Sequence, residues 1–89
     1  NKDKMTVPDK WQQDMGACTQ NMLLQIVKEG LGGVWLGVHP TQERIDSLKD
    51  IFGLPDHIMP FAVVCFGYSN KKNTFTDRYK EAAVHWDKY

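Results

Sequence analysis

Residues 30–38, which read GLGGVWLGV, decide how this 89-residue chain is interpreted. The glycines follow a helical pattern and precede an apolar strand, and glycine adopts the left-handed conformations that end a helix. A dinucleotide-binding turn has the reverse order, in which glycines follow a strand and open a helix that faces the phosphate. The stretch is therefore either a helix end that leads into a strand, or a glycine-bearing strand that lets a flat ring approach the backbone.

Two helices are predicted on either side of this stretch. Residues 11–29 carry apolar side chains at three- and four-residue intervals, which predicts a helix with an unusually broad apolar face, and Asp14 near its start is a candidate cap or dipole partner. Thr41 is typical of an N-cap, and the stripe that follows it predicts a second helix that ends at Gly53. A broad apolar face suits a helix that packs on two sides.

Two strands are predicted, at residues 34–38 and within the apolar run 61–68. The second run is continuous, which is typical of a central strand buried on both faces. Residues 1–10 predict an irregular lead-in, and residues 81–89 predict a short helical turn or an extended tail whose large rings dock on another surface. Because two strands do not make a stable sheet alone, something else must complete this fold.

The composition excludes several classes of protein. Apolar residues make up 42% and charged residues 25%, which is typical of a folded domain and not of a disordered tail. The net charge is zero, so no global field attracts nucleic acid or an anionic membrane, and no stretch approaches the length of a membrane span. Cys18 and Cys65 each lie in an apolar run, which predicts buried thiols in a reducing compartment, by default the cytoplasm.

Hydrolytic and metal signatures are weak. His39, His57 and His85 are widely separated and share no helix face with a carboxylate at ligand spacing. No nucleophile elbow is present, and Cys18 falls in the middle of a helix where a nucleophile is inaccessible. We therefore expect no metal and no catalytic side chain.

The segment 71–80 is the second candidate for chemistry, because it holds four basic residues against one acid directly after the stronger strand. Arg78 is one of two arginines in the chain, and a guanidinium fork suits a phosphate because it bonds two oxygens at once. The alternative is a solvated loop in which Asp77 and Arg78 pair locally.

Four features occur together in one order: DMGA and QNMLL within 14–24, the glycine-bearing stretch 30–37, FGLP at 52–55 ahead of the strand that ends in FGY, and DR at 77–78 with VHW at 84–86. In that order they resemble the C-terminal half of the nitroreductase family, over about residues 8–89. The resemblance implies an α+β, nitroreductase-like fold in which helices flank a mixed sheet and two copies form an intertwined homodimer. Residues 1–89 would then be the C-terminal part of one such domain.

The same resemblance implies a function. FMN would lie at the subunit interface and pass hydride from NAD(P)H, through flavin N5, to a small organic acceptor such as a nitroaromatic or a quinone. This chain lacks the family's N-terminal half, which is expected as a separate chain or as a part lost by proteolysis, and without it the chain is expected to be inactive.

The resemblance also implies which residues meet the flavin. The backbone of five consecutive residues would contact the ring near its N5 edge: Val34, Trp35, Leu36, Gly37 and Val38. Arg78, helped by Lys72 or Lys71, would meet the 5′-phosphate. Thr76 stands where some members of the family carry a second base.

Three other interpretations stay open at this point. A relative with the same flavin could catalyse a different reaction, such as reductive dehalogenation or flavin destruction. The chain could instead be an FMN-free dimerisation or interaction module derived from the same fold. It could also be a stand-alone small α+β domain, which would unfold sharply as a monomer.

Overall fold

A computed structural model describes residues 1–8, 10–72 and 74–89 of the chain. In chain order the elements are a short 3-10 turn at Lys2–Lys4, helix α1 at Trp11–Lys28, strand β1 at Gly32–Gly37, helix α2 at Gln42–Phe52, strand β2 at Ala62–Gly67 and a 3-10 turn at Glu81–Ala83. The predicted order of helix, strand, helix, strand and tail is confirmed.

Glycine ends both helices, as the sequence predicts. Gly30 has a φ of 77° after α1, and Gly53 has a φ of 59° after α2. The amide of Leu31 donates to the carbonyl of Ile26 at 3.0 Å, and the amide of Gly30 donates to that of Val27. These two bonds satisfy carbonyls that the end of a helix otherwise leaves without donors.

Neither helix begins with a capping hydrogen bond from a side chain, although the sequence suggested caps at both starts. Thr41 is the N-cap residue of α2, but its side chain makes no capping hydrogen bond. Lys10 precedes α1, and Asp14 lies in the first turn of that helix. The cap role considered for Asp14 is therefore wrong, while its position still suits the positive end of the helix dipole.

The two strands form one antiparallel pair, in which Gly32 lies opposite Gly67 and Gly37 lies opposite Ala62. Helix α1 packs on one face of this pair. A Cβ atom added to Gly33 would lie 3.2 Å from two side-chain carbons of Ile26, so the absence of a side chain at Gly33 lets α1 approach the strand closely.

The buried core of the described residues is small. Its apolar members are Ile26, Val38 and Ile45. Strand β2 is half-buried at its start and exposed at its end, so the prediction that it is buried on both faces is wrong for this chain. Cys18 and Cys65 are exposed free thiols, which corrects their expected burial. The exposure of β2 and of both cysteines has the same cause, because one long helix covers only one face of a two-stranded sheet and the remaining faces stay uncovered.

The dimensions of the chain agree with this incomplete packing. The radius of gyration is 17.3 Å, against about 12 Å for a compact domain of this length. The accessible surface is 8051 Å², against roughly 5300 Å² for a folded monomer of this mass. The chain therefore exposes much more surface than a self-sufficient domain does.

Candidate functional site

The end of β1 lines a cavity of about 610 Å³ beside helix α2. The cavity is formed by residues of both strands and of α2, namely Trp35, Leu36, Gly37, Val38, Glu43, Arg44, Ser47, Leu48 and Val63. Four of the five residues predicted to contact a ring therefore meet at one concave surface. Val34 instead lines a separate groove with Gly32, Cys65 and their neighbours.

The five residues differ in what their side chains do. Val34, Leu36 and Trp35 are exposed, whereas Val38 is only 4% exposed and belongs to the core. Any contact of Val38 with a ligand would therefore involve its backbone. This is compatible with the prediction, which concerned backbone groups.

Hydrogen bonding in the strand pair determines which backbone groups of β1 point outward. The amide of Val38 donates to the carbonyl of Phe61 at 3.2 Å, and Gly37 lies opposite Ala62. Because bonded and non-bonded pairs alternate along an antiparallel ladder, the N–H and C=O groups of Gly37 point away from β2, as do those of Trp35. The outer edge of β1 thus presents backbone donors that no described residue accepts.

Gly37 is a glycine for no reason that the described residues supply. Its φ is not positive, and a Cβ atom added there would meet no heavy atom within 4 Å. Gly33 lies four residues earlier on the same face of the strand, and it differs because Ile26 fills the space beside it. Glycine in a strand often marks a bulge, a bend or a place where a ligand or another backbone approaches closely, and the open space at Gly37 suits the last of these.

Arg44 joins the site, although sequence reasoning missed it. Its Nη1 atom donates a 2.8 Å hydrogen bond to the outward carbonyl of Gly37. The only sequence signal is that Arg44 is, beside Arg78, the other arginine of the chain. Its contact depends on the path of residues 38–41, which no local pattern specifies.

An aromatic cluster supports the strand from the side. The ring of Trp11 lies 4.8 Å from that of His39 and 5.9 Å from that of Phe61, and Trp35 lies 5.8 Å from Phe61. Edge-to-face and tilted ring pairs contribute about 0.5–1.5 kcal/mol each beyond their buried area. The cluster ties the start of α1 to the cavity end of β1, so this part of the strand is held firmly.

The basic segment after β2 lies outside the cavity, and one of its residues, Asn73, falls outside the described residues. Lys72 and Arg78 are exposed. Oδ1 of Asp77 accepts a hydrogen bond from the amide of Tyr79 at 2.9 Å. Arg78 forms no ion pair or hydrogen bond with any described residue, so the local pairing of Asp77 with Arg78 is not observed.

The described part of the chain carries neither a metal-binding cluster nor a helix that could span a membrane. No group of three or more His, Cys, Asp or Glu side chains there is arranged to hold a metal ion. No helix within residues 1–8, 10–72 and 74–89 has both the length and the apolar character needed to cross a membrane.

Comparison with known proteins places these features in a wider group. The model of the family described as "Nitroreductase family" matches residues 6–68. A protein of Archaeoglobus fulgidus named "Putative NADH dehydrogenase/NAD(P)H nitroreductase" is 39% identical over 84 residues, which are 91% of this chain and 48% of that protein. A protein of the same name from Methanothermobacter thermautotrophicus is 34% identical and is covered over 44% of its length.

Solved structures agree with these sequence matches. The structure of a "Putative NADH Oxidase" from Clostridium acetobutylicum superposes with a TM-score of 0.94 and 41% identity, over 100% of this chain and 54% of that one. The structure of a "Putative NADH dehydrogenase/NAD(P)H nitroreductase" from Parabacteroides distasonis gives a TM-score of 0.83 and 37% identity, over 91% of this chain and 48% of that one. The chain spans about half the length of the relatives it matches.

Proposed function

This chain belongs to the nitroreductase family, and from that premise we propose that it supplies the flavin-facing part of an FMN-dependent NAD(P)H oxidoreductase. The proposed acceptor is a small organic molecule such as a nitroaromatic or a quinone. When bound, FMN supplies the redox chemistry by accepting hydride at N5 and delivering it to the acceptor. The residues of this chain then bind, orient and shield the ring.

The observation that carries the proposal is the free edge of β1 at Gly37. This edge combines an outward amide donor, open space where a side chain would stand and a position on the wall of a cavity. A flat heteroaromatic ring with acceptor atoms along its edge fits these three properties, because it needs close approach to the backbone and a fixed N–H donor.

Arg78 is proposed to bind the 5′-phosphate, with help from Lys72. Its guanidinium is exposed and has no described partner, so all of its donors are available to an anion. The support is the exposed guanidinium and the resemblance of Asp77 and Arg78 to the closing segment of the family, which lies beyond the residues 6–68 that the family model matches.

We further propose that the active protein contains the N-terminal half that this chain lacks and that two copies pair through this part of the fold. Helix α1 leaves apolar side chains exposed, including Leu24 at 60% and Val27 at 69%. The tail exposes Trp86 and Tyr89. Apolar surface of this extent is expected to be covered in the assembled protein.

An absorption spectrum of the complete protein between 300 and 550 nm tests the cofactor first. We expect two flavin bands that bleach when NAD(P)H is added. A protein that folds, forms the expected assembly and yet shows no flavin bands, even after incubation with FMN, would contradict the proposal.

Arg78→Ala tests the phosphate assignment. We expect FMN affinity to fall by roughly 1.5–3 kcal/mol, because a charge-assisted bond to the phosphate is lost. Stability of the apoprotein should be unchanged, because Arg78 has no partner among the described residues. Lys80→Ala, which removes a charge two positions along the same segment, is the matched control. Equal affinities in the wild type and Arg78→Ala would assign Arg78 to the solvated surface.

The second candidate is an FMN-free dimerisation or interaction module. The exposed apolar side of α1 and the aromatic tail favour it, since both would drive association without a cofactor. It predicts a colourless protein that still self-associates, so the same spectrum, combined with a measurement of oligomeric state, distinguishes the two functions.

A further inference from the structure

Arg44 connects helix α2 to the edge of β1. It lies in the first turn of α2, lines the same cavity as Trp35 to Val38, and donates its 2.8 Å hydrogen bond to the carbonyl of Gly37. We propose that Arg44 is a positioning residue for the flavin ring, which fixes the orientation of the Gly37 backbone and places a positive charge at the cavity wall. This inference rests on the proposed function.

The backbone at Gly37 needs such a support. Glycine has no Cβ atom to restrict its φ and ψ, so a donor on a glycine is held only by the peptide groups around it. On one side, Leu36 lies opposite Val63 in a bonded pair of the ladder. On the other side, the amide of Val38 donates to the carbonyl of Phe61. Apart from the N–H that would face the ring, the carbonyl of Gly37 is the remaining polar group between these two fixed points.

Arg44 holds that remaining group. With its carbonyl bonded to the guanidinium, the peptide unit between Gly37 and Val38 is fixed at both its oxygen and its N–H. The torsion angles of Gly37 are then set from both sides, and its amide keeps one direction. A donor that is already oriented loses less entropy when it bonds a ligand, which favours tight and specific binding.

The charge of Arg44 has a separate consequence. Its guanidinium forms no ion pair with a described carboxylate, although Glu43 lines the same cavity. An arginine is always protonated, so a positive charge is held against the carbonyl of Gly37, on a wall to which Glu43 also contributes its carboxylate. Such a charge near a redox-active ring favours uptake of electrons by that ring, and protein charges are one means by which a cofactor's potential is set.

The test compares variants of the complete protein: Arg44→Gln, Arg44→Lys and, as control, Lys49→Gln. Lys49 lies in the last turn of the same helix and is not a residue of the cavity. For each variant we would measure the FMN dissociation constant, the midpoint potential of the bound flavin and the melting temperature of the apoprotein.

We expect Arg44→Gln to bind FMN roughly tenfold more weakly, because the backbone of Gly37 is no longer oriented before the ring binds, and to shift the midpoint potential to more negative values. Arg44→Lys keeps the charge but loses the planar fork, so its potential should lie near that of the wild type while its affinity is intermediate. Lys49→Gln should change neither quantity.

Several results would overturn the inference. Affinity and potential that stay unchanged in Arg44→Gln, with or without a lower melting temperature, would leave Arg44 a structural residue only. Equal shifts in Arg44→Gln and Lys49→Gln would reduce its role to net charge. If Arg44→Gln does not fold, Arg44→Lys with wild-type affinity would also refute it. A wild-type protein that binds no FMN would refute the proposed function itself, whereas a wild type that binds FMN and is insensitive at Arg44 would refute this inference alone.

Discussion

Valine substitutions at Gly33 and Gly37 separate the two uses of glycine in β1. The two residues lie on the same face of one strand, yet their surroundings differ. A Cβ atom at Gly33 would lie 3.2 Å from two carbons of Ile26 and 3.4 Å from Leu23, whereas at Gly37 it would meet nothing within 4 Å. We expect Gly33→Val to lower stability and Gly37→Val to lower flavin affinity.

The contacts give the size of each effect. Ile26 is only 8% exposed, so it has little room to move away from a new side chain. Overpacking of this kind costs about 1–3 kcal/mol. At Gly37 the new side chain enters open space, and a branched residue suits a strand, so the stability of the apoprotein should stay the same or rise by a few tenths of a kcal/mol.

The effect on FMN should be the reverse. If the ring packs against the backbone of Gly37, the added methyl groups must displace it, and a similar overpacking cost of about 1–3 kcal/mol corresponds to a dissociation constant roughly 5- to 150-fold higher. Gly33→Val should lose flavin only in proportion to the fraction of protein that it unfolds.

Chemical denaturation of the apoprotein and titration of FMN by quenching of its fluorescence measure the two quantities independently. Wild-type FMN affinity in Gly37→Val would show that the ring does not approach this residue. Unchanged stability in Gly33→Val would show that α1 does not pack against β1 as closely as the structure has it.

Two further predictions concern stability. The chain expressed alone should bind a hydrophobic dye and unfold without a sharp transition, because its surface of 8051 Å² greatly exceeds that of a compact domain; a cooperative melt of the monomer by calorimetry would instead favour a self-sufficient domain. Gly53→Ala should destabilise the complete protein by about 1 kcal/mol, since Gly53 has a φ of 59° at the end of α2; Gly67→Ala, where φ is not positive and a Cβ would meet nothing, is the control, and equal denaturation midpoints for both would refute the expectation.

Local patterns in the sequence were enough to predict the secondary structure. The three- and four-residue spacing that follows Trp11, and the glycines at positions 30 and 53, locate both helices to within a residue or two. These features depend on neighbours along the chain, so no tertiary contact is needed to read them. The order of the motifs also indicated the family, which the comparisons confirm.

Burial was predicted less well, and Cys18 and Cys65 illustrate why. An apolar run shows which side chains favour a core, but whether anything covers them depends on the rest of the assembled fold. In this chain nothing among the described residues covers the surfaces on which Cys18 and Cys65 lie, so both residues are exposed despite their apolar neighbours in sequence. The sequence indicated that apolar surface needs a partner to cover it, and the structure shows which parts of that surface are exposed in this chain.

The sequence by itself determined the helices and the strands, because each is encoded in short-range spacing and in the glycines that end a helix. The segment of the candidate site was indicated by the resemblance to the family, since the glycines alone left two interpretations open. Tertiary structure alone decided that Gly33 accommodates Ile26 while Gly37 borders open space, and that Arg44 reaches the carbonyl of Gly37. The two glycines of one strand differ in role because their surroundings are formed by elements distant along the chain. The positions of those elements relative to the strand are set by tertiary packing.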